Sequence, residues 1–405
     1  MAQSVTRQEG RGLIVAAPAS GSGKTVITLG LLRALKNKGT DIGSLKIGPD
    51  YIDPAFHSCA TGLPCRNIDP WSMRPETLNQ QISSTGTALM IAEGVMGLFD
   101  GAADGTGSTA DAAALLGWPV VLVIDVRGQS ASAAAVVEGF ARHRKEVTVG
   151  GVIFNRVGGE RHRKLLETAL APTGIPCLGY VPRSSELELP SRHLGLVQAR
   201  EHSDVHSWVA RVAAIVGNAV DLDRLADLAA VPPPATPKPA LAPLSSLGQH
   251  IAVAQDDAFA FAYPHILKGW KSAGASITFF SPLADDPVPT AAEGIYLPGG
   301  YPELHALVLA KNQTFLESLR DAASRGAAIY GECGGFMVLG ETLTDENGEF
   351  RMDMPQIVPA FGQPHGHLAY DAEHDGGGFK TVFLRPVMRS ADERTLAAHF
   401  VLEPA

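Results

Sequence analysis

Short, continuously apolar runs recur through the first half of the chain, at 13–18 (LIVAAP), 44–48 (SLKIG), 88–94 (ALMIAEG), 119–126 (PVVLVIDV) and 149–155 (VGGVIFN). Between them lie stretches with helical spacing, among them 24–38, 129–143 and 160–170. Apolar strands alternating with amphipathic helices predict an α/β fold, a parallel sheet covered on both faces with its ligand-binding loops at the carboxyl ends of the strands. Residues 231–243 (VPPPATPKPALAP) break the pattern with six prolines. Proline fixes its own backbone and lacks an N–H, so this stretch reads as an extended connector. Past it the alternation restarts with 250–255 (HIAVAQ), a helix near 262–273, 276–280 (SITFF), 294–300 (GIYLPGG), helices to about 325, and 327–335 (AAIYGECGG). The expected organisation is a domain over 1–230, a linker over 231–247 and a smaller α/β domain over 248–405, with no fixed-period repeat.

The 405 residues, 45% hydrophobic and 19% charged, are enough for two such cores. A net charge of -9 with no clustered Lys and Arg argues against a nucleic-acid partner. No apolar run reaches the length that spans a bilayer, and the first residues carry no signal-peptide core, so a soluble, cytoplasmic protein without a membrane partner is expected. Cys59, Cys65, Cys177 and Cys333 are too few and too dispersed for a disulfide framework or a zinc site.

Chemistry begins at 17–25 (APASGSGKT). Gly21, Ser22 and Gly23 form a turn in which backbone amides can converge on a phosphate, the following helix end favours negative charge, Lys24 can reach terminal phosphates and the Thr25 hydroxyl can bind Mg²⁺. The spacing is that of a nucleoside-triphosphate loop, with Pro18 where the strict pattern has glycine. Acidic residues follow two neighbouring strands, Asp50 and Asp53 in KIGPDYIDPAFH and Glu93 and Asp100 in AEGVMGLFDG. In a parallel sheet these loops face the phosphate turn, so their carboxylates can hold Mg²⁺ and orient an anionic substrate through it. Asp125, ending VVLVID, is a further candidate for metal or water positioning.

In AAIYGECGGFMVLG an apolar run meets Cys333 just before Gly334 and Gly335. A nucleophile on a sharp strand-to-helix turn stands exposed at the sheet edge, and the helix end is expected to lower its thiol pKa. Gly299 and Gly300 of LPGGYPE could offer N–H groups to an oxyanion. The thiolate needs a base; His365, His367, His374 and His399 lie downstream, and an apolar pattern precedes His399.

Taken together, APASGSGKT, KIGPDYIDPAFH, RNIDPWSM, AEGVMGLFDG, FNRVGG, LPGGYPE and GECGGFMVLG closely resemble the cobyrinic or hydrogenobyrinic acid a,c-diamide synthases of cobalamin biosynthesis, from about residue 11 to about 345. The resemblance implies a dethiobiotin-synthetase-like P-loop domain followed by a flavodoxin-like class I glutamine amidotransferase domain, and a homodimer. It implies ATP, Mg²⁺ and glutamine as requirements and a corrinoid as substrate, whose a and c acetates become amides through acyl phosphates. On that basis ATP is held by Gly21, Ser22, Gly23, Lys24 and Thr25, with Asn155 at its base. Mg²⁺ sits near Thr25, Asp50 and Glu93, Asp53 and Asp100 act near substrate, and Cys333 releases ammonia.

Family members carry an Arg-Gly-His-Glu-Phe-His-Tyr type stretch after the cysteine segment, and residues 346–405 contain none. The second domain is therefore expected to be atypical after about 345, with glutamine-dependent activity weakened and ammonia-dependent activity kept. Two rivals share motifs with this reading. A P-loop switch of the partitioning or targeting type would explain the first turn but gives no role to the acidic loops or to Cys333. The amidase of nickel-sirohydrochlorin shares most motifs and differs in substrate. RNIDPWSM and the Ala-rich composition favour the metal-free, hydrogenobyrinic substrate.

Overall fold

The computed structural model describes residues 10–188 apart from 84, 204–232 and 245–340, together with short strands at 191–192, 195–196, 342–344 and 351–353. The chain divides into two compact units, Met1–Ala240 and Leu241–Ala405. Most of the Pro-rich segment, and His365, His367, His374 and His399, lie outside the described residues.

The first unit runs β1 (Arg11–Ala16), α1 (Lys24–Asn37), β2 (Ile42–Ile47), α2 (Asp53–Thr61), β3 (Arg66–Ile68), α3 (Pro75–Ser83), β4 (Leu89–Glu93), α4 (Thr109–Leu116), β5 (Val120–Asp125), α5 (Ser132–His143), β6 (Val149–Val157), α6 (Glu160–Leu170) and β7 (Cys177–Pro182). A two-residue pair, β8 (Ser191–Arg192) and β9 (Gly195–Leu196), precedes α7 (Val205–Ala219) and α8 (Leu222–Leu228). Seven parallel strands form one sheet in the order β3-β2-β4-β1-β5-β6-β7. The apolar runs become strands because each is buried on both faces: Leu13, Ile14 and Val15 of β1 and Val121, Leu122 and Val123 of β5 are fully inaccessible. Alternate residues feed two cores, one holding α1 and α7 and the other α4 and α5. At roughly 1.5–3 kcal/mol for each buried aliphatic side chain, these layers outweigh any local preference.

Strand order decides where chemistry can occur. β1 is central, flanked by β4 and β5, and strands are added outward in opposite senses on its two sides, which puts the crevice at its carboxyl end. α1 starts there on Gly23, whose left-handed backbone (φ 88°) ends the turn. α4 begins at the same edge through a capping box between Ser108 and Asp111.

The second unit contains β10 (His250–Ala254), α9 (Pro264–Ser272), β11 (Ser276–Phe280), β12 (Gly294–Leu297), α10 (Ala306–Leu309), α11 (Gln313–Ser324), β13 (Ala328–Gly331), α12 (Gly334–Met337), β14 (Thr342–Thr344) and β15 (Arg351–Asp353). Four parallel strands pair in the order β11-β10-β12-β13, and β14 pairs antiparallel with β15. No helix among the described residues is long and apolar enough to cross a membrane.

Candidate active site

The turn between β1 and α1 is built from left-handed glycines, Gly21 at φ 75° and Gly23 at φ 88°. Gly23 must also lack a side chain, because a Cβ there would run into the Asn155 amide. The turn is braced from β6: Asn155 Nδ2 donates to the Ser22 carbonyl at 2.9 Å and Arg156 Nη1 to the Gly21 carbonyl at 3.0 Å. Ser22 Oγ donates to the Ala19 carbonyl at 2.8 Å. Asn155 is thereby engaged at both ends, its Oδ1 accepting from the Arg156 N–H at 2.9 Å. Lys24 is buried, and burial, reinforced by the charge of Lys46, depresses its pKa.

Sheet register assembles the acidic side of the site. Glu93 lies opposite Val15 of β1 and opposite Lys46 of β2, so one carboxylate stands between the phosphate turn and a lysine. Thr25 Oγ1 donates to Glu93 Oε1 at 2.6 Å and lies 3.3 Å from Asp53 Oδ2. Lys46 Nζ pairs with Asp53, with Glu93 Oε1 at 3.1 Å and with Asp50 Oδ2 at 3.4 Å. On the far side of Glu93, Oε2 meets His57 Nε2 at 2.7 Å, and His57 Nδ1 lies 3.5 Å from Cys65 Sγ. Lys46, Glu93 and His57 are 1%, 0% and 0% exposed, so these charges have only one another for solvation.

That confinement separates the two carboxylates. Burial favours a proton on both. Asp53 also feels Asp50, and the pull of Lys46 leaves it at about 7. For Glu93 the charge of Lys46 and the bond from His57 overcome burial and hold it well below the usual carboxylate range. Burial would depress His57, yet Cys65 and Glu93 push it up to about 10. Lys46 is likewise held well above its ordinary value, the charges of Asp53 and Glu93 overcoming burial.

The structure therefore brings together Thr25, Asp53 and Glu93, with Asp50 at the rim. Asp50 Oδ1 accepts from the N–H groups of Ile52 and Asp53, at 2.9 and 3.0 Å, and so orders the entry into α2. Asp100 is exposed, and its Oδ2 accepts from the Gly97 N–H at 2.8 Å, shaping the loop beside the phosphate turn. Asp125 does not match the metal or water role expected of it. Arg127 at 2.9 Å and Arg156 at 2.6 Å occupy its carboxylate and, against burial, hold its pKa down. Sequence reasoning did not assign Lys46, His57 or Arg156. A lysine inside the apolar run SLKIG was the available signal for the first, whereas the contacts of the other two arise only from tertiary pairing.

Thr25 and Glu93 supply hard oxygen donors next to the phosphate turn, which is the kind of set that takes Mg²⁺. Among the described residues no three His, Cys, Asp or Glu form a ready-made metal cage. The donor set suits an ion that draws most of its ligands from phosphate oxygens and water.

In the second unit Cys333 joins β13 to α12 with φ 48° and ψ −124°, a strained conformation for a residue with a side chain. Gly299 packs against it, since a Cβ there would lie 3.0 Å from Cys333 Cβ. The expected lowering of the thiol pKa is corrected: burial of the sulfur dominates and pushes it up, although the Gly334 and Gly300 N–H groups pull the other way. A four-residue helix gives too little dipole to reverse that balance. Beneath the turn, the buried Glu332 carboxylate accepts from Tyr296 on β12 and, at 3.0 Å, from Tyr330 on β13.

A phosphate turn in a parallel sheet, followed by a unit with a cysteine elbow, defines a nucleotide-binding enzyme joined to a glutamine amidotransferase. Residues 13–197 match the CobQ/CobB/MinD/ParA nucleotide binding domain and residues 250–361 the CobB/CobQ-like glutamine amidotransferase domain. The hydrogenobyrinate a,c-diamide synthase of Brucella anthropi is 52% identical over 365 residues, 89% of this chain and 84% of that protein. That of Brucella abortus biovar 1 is 51% identical over 91% of this chain and 86% of its own length, and that of a Sinorhizobium species 51% over 89% and 84%. The chain belongs to the hydrogenobyrinate a,c-diamide synthase family.

Proposed function

We propose that this protein converts the a and c acetate side chains of hydrogenobyrinic acid into amides in the cytoplasm, with ATP as activating substrate and glutamine or ammonia as nitrogen source. A carboxylate resists nucleophiles because its charge repels them and oxide cannot leave; transfer of the γ-phosphoryl group removes both obstacles. The carboxylate oxygen attacks phosphorus and ADP leaves. Ammonia then attacks the acyl carbon, phosphate leaves with the C–O bonding pair, and nitrogen gives up a proton. The convergence of Thr25, Lys46, Asp53 and Glu93 on the phosphate turn carries this reading, because it sets a hydroxyl and carboxylates suited to Mg²⁺, held in place by a buried lysine, against triphosphate-binding groups.

Lys24 and the glycines of the turn take the triphosphate, and Thr25 and Glu93 hold Mg²⁺, which when bound neutralises charge on the transferred phosphoryl group. Lys46 holds the Asp53 and Glu93 carboxylates beside the phosphate turn, and Asp53 is the carboxylate placed to take up the proton released from nitrogen. Cys333 attacks the glutamine amide with the Gly299–Gly300 backbone receiving the oxyanion. Because residues 346–405 lack the family's histidine stretch, glutamine-dependent turnover is slower than ammonia-dependent turnover. The test is incubation with Mg-ATP, hydrogenobyrinic acid and glutamine or ammonium chloride, followed by mass spectrometry. Two successive replacements of hydroxyl by amide nitrogen are expected. ATP turnover that needs no corrinoid would overturn the reading in favour of a switch ATPase, and amidation of nickel-sirohydrochlorin alone would reassign the substrate.

A further inference from the structure

The segment RNIDPWSM is not used by the phosphate chemistry, yet its geometry is built with care. Asp69, 6% exposed, closes a tight turn after β3: its Oδ1 accepts from the Trp71 N–H at 2.9 Å and its Oδ2 from Ser72 Oγ at 2.7 Å, while its carbonyl accepts from the Met73 N–H at 2.8 Å. The turn holds Trp71 outward, with half of the residue open to water. Gly107, left-handed at φ 80°, lies against the start of the indole, where a Cβ would come within 2.6 Å of Trp71 Cβ. Trp71 is thus fixed at its base and exposed beyond it. Among the described residues of the first unit it is the one aromatic among the exposed large hydrophobic side chains.

Its position ties it to the reaction site. β3 is parallel to β2, so the Trp71 turn opens on the same sheet edge as the phosphate turn. The end of β3 is joined to the acidic loop by Asn67, whose Nδ2 donates to the Gly48 carbonyl at 3.0 Å and the Asp50 carbonyl at 2.6 Å. Arg74, three residues past Trp71, is exposed and makes no ion pair among the described residues. An exposed indole followed three residues on by an exposed arginine suits a ligand that is flat, conjugated and rimmed with carboxylates.

We propose that Trp71 is a specificity-determining contact for the conjugated macrocycle, its indole stacking on the ring while Arg74 takes a carboxylate that does not react; this rests on the function proposed above. Stacking holds the ring at the sheet edge so that an acetate on its rim reaches the phosphate turn. The experiment compares the parent with Trp71→Ala, Trp71→Phe and Arg74→Ala by equilibrium titration of the macrocycle without ATP, followed by amidation kinetics and thermal unfolding. Trp71→Ala should weaken macrocycle binding and raise its KM about tenfold, with the KM for Mg-ATP within about twofold and the melting temperature unmoved. Trp71→Phe should restore most of the binding, and Arg74→Ala should give a smaller loss that vanishes at high salt. Parent-like macrocycle affinity in Trp71→Ala, while the parent still makes the diamide, would overturn the platform and leave the function standing. A parent that neither binds nor amidates the macrocycle would overturn both.

Discussion

Replacing Lys46 with methionine gives the sharpest test of the site. The substitution keeps an unbranched side chain of similar length and removes the one charge that, among the described residues, touches Asp50, Asp53 and Glu93 together. Lys46 and Glu93 are out of contact with water, so neither loss can be made good by hydration. Removing one member of a buried pair typically costs about 3–5 kcal/mol, and about 2–4 °C of melting temperature per kcal/mol in a unit of this size makes the expected drop roughly 6–20 °C. The cost depends on pH. Asp53 already titrates at about 7, and without Lys46 its pKa climbs further, so protonation relieves the repulsion in acid and the deficit widens as pH rises. Scanning calorimetry in EDTA from pH 5 to pH 8 measures both. A second variant, Lys46→Met with Glu93→Gln, removes charge from both partners and should recover part of the loss. If Lys46→Met melts within about 2 °C of the parent at pH 8, the buried lysine does not hold this cluster together.

Lys24→Ala should lower ATP-dependent diamide formation by about a hundredfold or more while leaving alkylation of Cys333 untouched; diamide formed at the parent rate would end the case for nucleotide activation. Asp53 is near 7 in the folded protein against an ordinary 3.8, so the folded state keeps a proton that the unfolded chain has lost. Its favourable contribution is therefore complete below about pH 4 and lost as pH rises through 7. The melting temperature of the parent minus that of Asp53→Asn, in EDTA, should fall across that window, and a flat difference would contradict the assignment. Burial holds the Cys333 thiol up, so iodoacetamide should react slowly at pH 7 and faster in alkali, and Cys333→Ala should abolish glutamine-dependent but not ammonia-dependent synthesis. Equal rates with glutamine and with ammonium chloride in the parent would show that the missing histidine stretch has no cost.

The long apolar runs were legible because burial on both faces leaves no choice of residue, and β1, β2, β4, β5 and β6 fall where that pattern lies. β3, three residues long, and β7, with Gly179 and Tyr180 interrupting its apolar character, were not. Lys24, Thr25 and Glu93 could be read from local motif and strand end. His57 could not, because its partners Glu93 and Cys65 are 36 and 8 residues away and meet it only when α2 packs beneath the sheet edge. The thiol of Cys333 was misread for a related reason: the local motif announces a helix end, whereas burial, which governs the proton, is a property of the folded unit.

Among the described residues each unit has its own pair of apolar clusters, one pair around the seven-stranded sheet and another around the four-stranded one. On the proposed function, a mutation that hollows the clusters behind the cysteine turn leaves the packing behind the phosphate turn intact.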